Sequence, residues 1–153
     1  SRTLDFAESI AEITGGKGVD LVLKNEPGIK IIHREAIRDA ADRPTQAENL
    51  LTAYRDVDAF YFPFDAVAII FYRTMKAMGR DKEIFFASVD AIGEAKKLIK
   101  QTDTFGATVA QQPYVMGQLG IRYAMQYIKG EKKDFGSFIP VPVKLLTKEN
   151  VDD

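Results

Sequence analysis

Three polar residues stand just past three apolar runs, and together they point to a face that binds a small molecule. Asp65 follows VDAFYFPF, Asp90 follows EIFFASV and Gln111 follows TFGATVA. A carboxylate accepts hydrogen bonds from hydroxyls, and a primary amide both donates and accepts. Phe64, beside Pro63 at the end of the first run, adds a ring able to stack on the apolar face of a sugar. Both aspartates also have a local reading. Each immediately precedes a predicted helix, where an Asp N-cap accepts backbone N–H groups. Gln is a mediocre cap, so the local alternative at Gln111 is weaker.

Other chemistries lack their residues. The chain has no Cys, which excludes thiolate zinc sites, disulfides and a cysteine nucleophile. Its single His, His33, excludes paired-His metal sites. His33 ends IKII with no G-x-S-x-G elbow to serve, and reads as a surface or strand-end residue. GGKG at Gly15 to Gly18 lacks phosphate-loop spacing and precedes a strand instead of linking strand to helix. It reads as a helix stop and a turn. An ordinary hydrolase is not expected, nor is a metal or a cofactor.

Parallel strands would bring the three polar residues together, because their carboxyl ends share one edge and ligands bind in the crevice there. The pattern predicts one α/β domain over 1–153, a three-layer flavodoxin-like or Rossmann-like fold with a mostly parallel sheet. A helix over Thr3 to Thr14 ends at Gly15-Gly16, and VDLVLK and IKII follow as strands. Ala47, Leu50, Leu51 and Tyr54 mark a helix by their spacing, and VDAFYF reads as a buried strand. Val67, Ile70, Phe71, Thr74, Met75 and Met78 form the next stripe, closed by Gly79. EIFFASV, a helix facing inward through Ala95, Leu98 and Ile99, and TFGATVA come next. Pro113 opens a long helix whose inner face carries Met116, Leu119, Gly120, Tyr123 and Tyr127. IPVPVKLL is expected as an edge strand because of its prolines. The strands beginning near Ile29, Val57, Glu83 and Phe105 are expected to be parallel, with helices on both faces. One joint is irregular: Asn25 to Gly28 is too short for a parallel crossover, and Pro27-Gly28 suits a type II turn.

Composition sets the outer limits. A formal charge of −1 on 153 residues gives no footprint for nucleic acid or an anionic membrane. No apolar run approaches the ~20 residues of a membrane span, and no signal-peptide pattern opens the chain.

TVAQQPYVMGQLG (Thr108 to Gly120) and IPVPVKLLTKENVD (Ile139 to Asp152) resemble the type I periplasmic sugar-binding proteins, the ribose-binding group in particular. So do PGIKII, TQAENLLTAYRDVDAFYFPFD and ASVD. The resemblance covers Pro27 to Asp153. It implies the C-terminal lobe of a two-lobed, periplasmic, non-catalytic sugar receptor serving an ABC transporter. It further implies sugar contacts at Asp90 and Gln111. Phe64 replaces the family's Asn before the first helix Asp, and Val89 replaces an aromatic before the second, so weak or lost binding is expected.

RTLDFAESIAEITGGKGVDLVL (Arg2 to Leu23) resembles the coenzyme domain of medium-chain quinone and enoyl reductases. With the short joint, this implies a recombined or engineered chain, cytoplasmic if engineered; the alternative is a natural receptor with an internal deletion. It also supplies the alternative function, a nucleotide-binding fragment of an NADP-dependent reductase. A lobe without its partner would expose Phe64, Val89 and Tyr114, so self-association or a domain swap is expected.

Overall fold

Short apolar runs settle as strands where a ladder and a buried face are both available. A computed structural model describes residues 28–36, 39–136 and 139–152. The expected helix over Thr3 to Thr14, GGKG, the strand VDLVLK and residues 25–27 of the joint lie outside the described residues. The described elements are α1 (Arg43–Ala53), β1 (Ala59–Tyr61), α2 (Asp65–Ala77), β2 (Phe85–Val89), α3 (Gly93–Gln101), β3 (Phe105–Ala110), α4 (Pro113–Ile128) and β4 (Lys144–Leu146). They group in two compact units, one of Ile31–Ala110 with Leu145–Asp153, the other holding Gln111–Lys144.

The sheet has the order β1-β2-β3-β4, and β1, β2 and β3 run parallel. This is an α/β fold with a mostly parallel sheet and flanking helices. A parallel step needs a crossover, and α2 and α3 provide the two between β1 and β3. Right-handed crossovers between consecutive neighbours place both helices on one face. Phe71 and Met75 of α2, Ala95 and Ile99 of α3, Ala47 and Leu51 of α1, and Phe86 and Phe105 of the strands accordingly share one core. Strand alternation sends Phe60 and Phe62 into it and leaves Tyr61 40% exposed. The Phe86 ring is central: its centroid lies 5.7 Å from that of Phe60, 5.9 Å from Tyr72 and 6.2 Å from Phe105. Gly79, at φ +74, ends α2 in the left-handed conformation that glycine adopts without strain.

Four expectations are corrected. Residues 29–36 carry no regular structure, with Ile29 and Ile32 exposed by 43% and 50%. Four apolar residues without a buried face do not hold a strand. The strand in VDAFYF is short and is not buried, since Ala59 and Tyr61 are exposed and only Phe60 turns inward. The strand in IPVPVKLL begins at Lys144, beyond Pro140 and Pro142, which bring no N–H to a ladder. On α4 no residue is buried, and Met116 and Tyr127, expected inside, are 48% and 60% exposed. Tyr114, Ile121 and Ile128 add apolar surface elsewhere on the same helix, so spacing alone did not single out one face.

The β2–β3 register slips by one residue: Phe86 pairs with Phe105, but Ala87 pairs with Ala107. Gly106 is the extra residue of this bulge. A Cβ there would lie 1.9 Å from the Phe85 ring, so the ring fills space that only glycine leaves open. A one-residue shift reverses the face of every side chain beyond it. Unbulged, Thr108 would stand opposite Val89; with the bulge it stands opposite Ser88 and on the same face.

Candidate functional site

The carboxyl ends of β1 and β2 share one edge of the sheet, and the residues beyond them form the candidate site. After β1 the chain stays extended through Phe64 (φ −142), whose side chain is 52% exposed, and α2 then begins at Asp65. Asp65 itself is fully buried. Its Oδ1 accepts from the Ser88 hydroxyl at 2.5 Å and the Thr108 hydroxyl at 2.7 Å. Its Oδ2 accepts from the Ile92 N–H at 2.8 Å. The cap expectation for Asp65 is therefore corrected. The carboxylate makes no cap bond to its own helix, and it has no exposed surface. Donors from two neighbouring strands and the next turn outcompete the local cap.

Asp90 directly follows β2 and is half-buried. It does not cap α3, whose N-cap is Ile92 without a side-chain bond. Its backbone is unusual: Asp90 has φ 120 and Ala91 φ 58, two consecutive non-glycine residues in the region that favours glycine. Such positions cost on the order of 1–3 kcal/mol each and persist only where the surroundings hold them. Here the Asp90 N–H donates to the Val109 carbonyl at 2.9 Å and the Ala91 N–H to the Thr108 hydroxyl at 3.2 Å. The Ile92 N–H goes to Asp65. Three successive N–H groups of the turn are thus engaged by β3 and by the first residue of α2.

A prediction follows from Ala91. Left-handed backbone costs a residue with a Cβ about 1–2 kcal/mol, and glycine gives back about 0.5–1 kcal/mol as unfolded-state entropy. Ala91→Gly should stabilise the domain by about 0.5–1 kcal/mol in urea unfolding. A destabilised variant would contradict the strain assigned to this turn.

Gln111 follows the last residue of β3, is exposed, and opens the second unit, with Gln112 as the N-cap position of α4. Val89 ends β2 half-exposed, and Tyr114 is 76% exposed. His33 lies away from the strand ends in sequence, its Nδ1 2.8 Å from the Tyr54 hydroxyl and its Nε2 3.4 Å from Glu35. The first unit thus brings Phe64, Asp65 and Asp90 to one sheet edge. Of these, Phe64 is exposed, Asp90 is half-buried and Asp65 lies beneath the surface. Ser88 and Thr108 were missed in the sequence. The available signal was a hydroxyl residue inside each of two otherwise apolar strands, FFASV and FGATVA, with a buried Asp needed to join them.

The model for the periplasmic binding protein domain matches residues 12–132. The ribose import binding protein of Haemophilus influenzae is 34% identical over 101 residues, which are 66% of this chain and 33% of that protein. That of Bacillus subtilis is 27% identical over 149 residues, covering 92% of this chain and 47% of its own length. Among solved structures, an ABC transporter solute binding protein from Agrobacterium vitis with bound allitol superposes with TM-score 0.73 and 27% identity, over 88% of this chain and 48% of that one. A glucose-galactose binding protein from Geobacillus stearothermophilus has TM-score 0.76 at 23% identity, over 88% and 47%, a likeness of fold. The chain spans between a third and about half of the length of these relatives.

Proposed function

The chain belongs to the periplasmic binding protein domain family, and from that premise we propose that it is a non-catalytic lobe binding a sugar-class solute for an ABC importer in the periplasm. Asp90 accepts hydrogen bonds from sugar hydroxyls and Phe64 stacks on the apolar face of the ring; Gln111, in the other unit, is by its amide a separate candidate that donates and accepts. Asp65 serves from below without touching the solute. The observation that carries the reading is Asp90 itself, a half-buried carboxylate placed past a parallel strand end by a strained turn. Such turns cluster at ligand sites. The names of the relatives, which include ribose import and allitol-bound proteins, point to polyhydroxylated solutes.

Affinity in the 153-residue polypeptide is low on this reading. A charge-assisted hydrogen bond contributes about 1.5–3 kcal/mol and a neutral one about 0.5–1.5 kcal/mol. Association costs roughly 4–15 kcal/mol in lost translation and rotation. Calorimetry with pentoses and hexoses should therefore give millimolar affinity or weaker, with no turnover of any sugar. Micromolar binding that persists in both Asp90→Ala and Gln111→Ala would remove these residues from the site. Thermal stabilisation by NADP(H) but by no sugar would overturn the function.

Several large side chains of α4 are exposed, among them Tyr114 (76%), Ile121 (69%) and Ile128 (75%). Apolar patches of that kind mark association surfaces. We propose weak self-association, read as a light-scattering mass that rises with concentration; a monomer mass at every concentration would contradict it.

A further inference from the structure

We propose that Asp65, Ser88 and Thr108, brought together by the Gly106 bulge, form a clamp that positions Asp90 for its ligand, so that solute recognition depends on a carboxylate the solute never touches. The proposal rests on the sugar-binding reading for its consequence and on the geometry alone for its mechanism. Thr108 is the joint of the device. Its hydroxyl donates to Asp65 Oδ1 at 2.7 Å and accepts from the Ala91 N–H at 3.2 Å. Asp65 Oδ2 takes the next N–H along, that of Ile92, at 2.8 Å. The Ser88 hydroxyl shares Oδ1 at 2.5 Å, and Asp65, Ser88 and Thr108 are all buried. With its acceptors used by the strands and the turn, the carboxylate holds the turn in which Asp90 and Ala91 take a conformation their own side chains disfavour.

The register explains why the clamp can close. Thr108 reaches the face of Ser88 only because the extra residue Gly106 is inserted before it. The Phe85 ring is seated where a Gly106 side chain would project, so a Cβ there requires that ring to move. A bulge on β3 thus aims a residue at the end of β2, two links away through a hydroxyl and a carboxylate. Asp65, Ser88 and Thr108 are positioning residues, and the solute contact is Asp90.

Two measurements on the 153-residue polypeptide test this, one without ligand and one with ribose as the probe. Thr108→Val keeps the shape of the side chain and removes the hydroxyl; Thr108→Ser keeps the hydroxyl and serves as the rescue. By amide hydrogen exchange, Thr108→Val should speed exchange at Ala91 and Ile92 by about tenfold, leave Phe86 and Ala68 near wild type, and be reversed in Thr108→Ser. Equal acceleration everywhere, or none at Ala91 and Ile92, overturns the clamp. In NMR titration with ribose, Thr108→Val should weaken the response at Asp90 by roughly tenfold, whereas Asp90→Ala abolishes it. An undiminished ribose response in Thr108→Val overturns the clamp and leaves the sugar reading standing. The exchange pattern as expected, with no ribose response even in the wild type, supports the clamp and overturns the sugar reading.

Discussion

Phe86→Ala should lower the unfolding free energy by about 3–5 kcal/mol, the usual range for removing a fully buried ring. Phe86 has no exposed surface, and its ring meets those of Phe60, Phe62, Tyr72 and Phe105. These neighbours come from β1 and the residue just after it, from β3 and from α2, so they cannot all close on the vacated volume without moving the sheet. Total stabilities of domains lie at about 5–15 kcal/mol, which makes this a large fraction. Urea unfolding followed by circular dichroism should show a lower midpoint with an unchanged slope. Tyr114→Ala, at a residue 76% exposed, is the control and should stay within about 0.5 kcal/mol of wild type. A loss below about 1 kcal/mol at Phe86 would mean that the core is not organised around that ring.

Asp65→Leu should cost about as much, for a different reason. Leucine approximates the shape of aspartate but accepts no hydrogen bond. The Ser88 and Thr108 hydroxyls and the Ile92 N–H would lose their common acceptor inside the protein. A buried polar group left unpaired costs about 1–3 kcal/mol, and the hydroxyls recover part of that by rotating. The net expectation is a loss of about 3–5 kcal/mol, with a smaller loss for Asp65→Asn, which retains one acceptor. Pairing Asp65→Leu with Thr108→Val should cost less than the two single changes added together, because the second removes one of the stranded donors. Strict additivity would show that Asp65 and Thr108 are not coupled, and a loss near zero for Asp65→Leu would show that the network carries no stability.

Much of the fold was legible because it is written in local patterns. The spacing of Ala47, Leu50 and Leu51 announced α1, and the stripe from Val67 to Met75 announced α2. Alternation of apolar runs with those stripes required crossovers, and crossovers required parallel strands, as β1, β2 and β3 are. The strand-end positions of the candidate site were legible, since Phe64 and Asp90 follow the parallel strands β1 and β2. What stayed hidden was non-local. Capping rules see four residues at a time and so gave Asp65 to its own helix, whereas its actual donors lie 23, 43 and 27 positions away. The Gly106 bulge is invisible to periodicity, because a register slip changes which residues face each other without changing the order of apolar and polar types. Ala91 gave no sign of its positive φ, because residue type alone pointed the other way. IKII erred in the opposite direction: its composition suits a strand, and strand formation depends on neighbours that a run of four residues does not specify.

The central claim is that a sugar is held at the end of β2 by Asp90, and chemical-shift mapping with ribose on the 153-residue polypeptide tests it most directly. Mapping reads weak binding residue by residue and so reports where the sugar sits. The account predicts fast-exchange shifts at Phe64 and at Asp90 to Ile92, approaching saturation only at millimolar sugar or above, and absent in Asp90→Ala. Shifts that cluster elsewhere, or that survive Asp90→Ala unchanged, would contradict it.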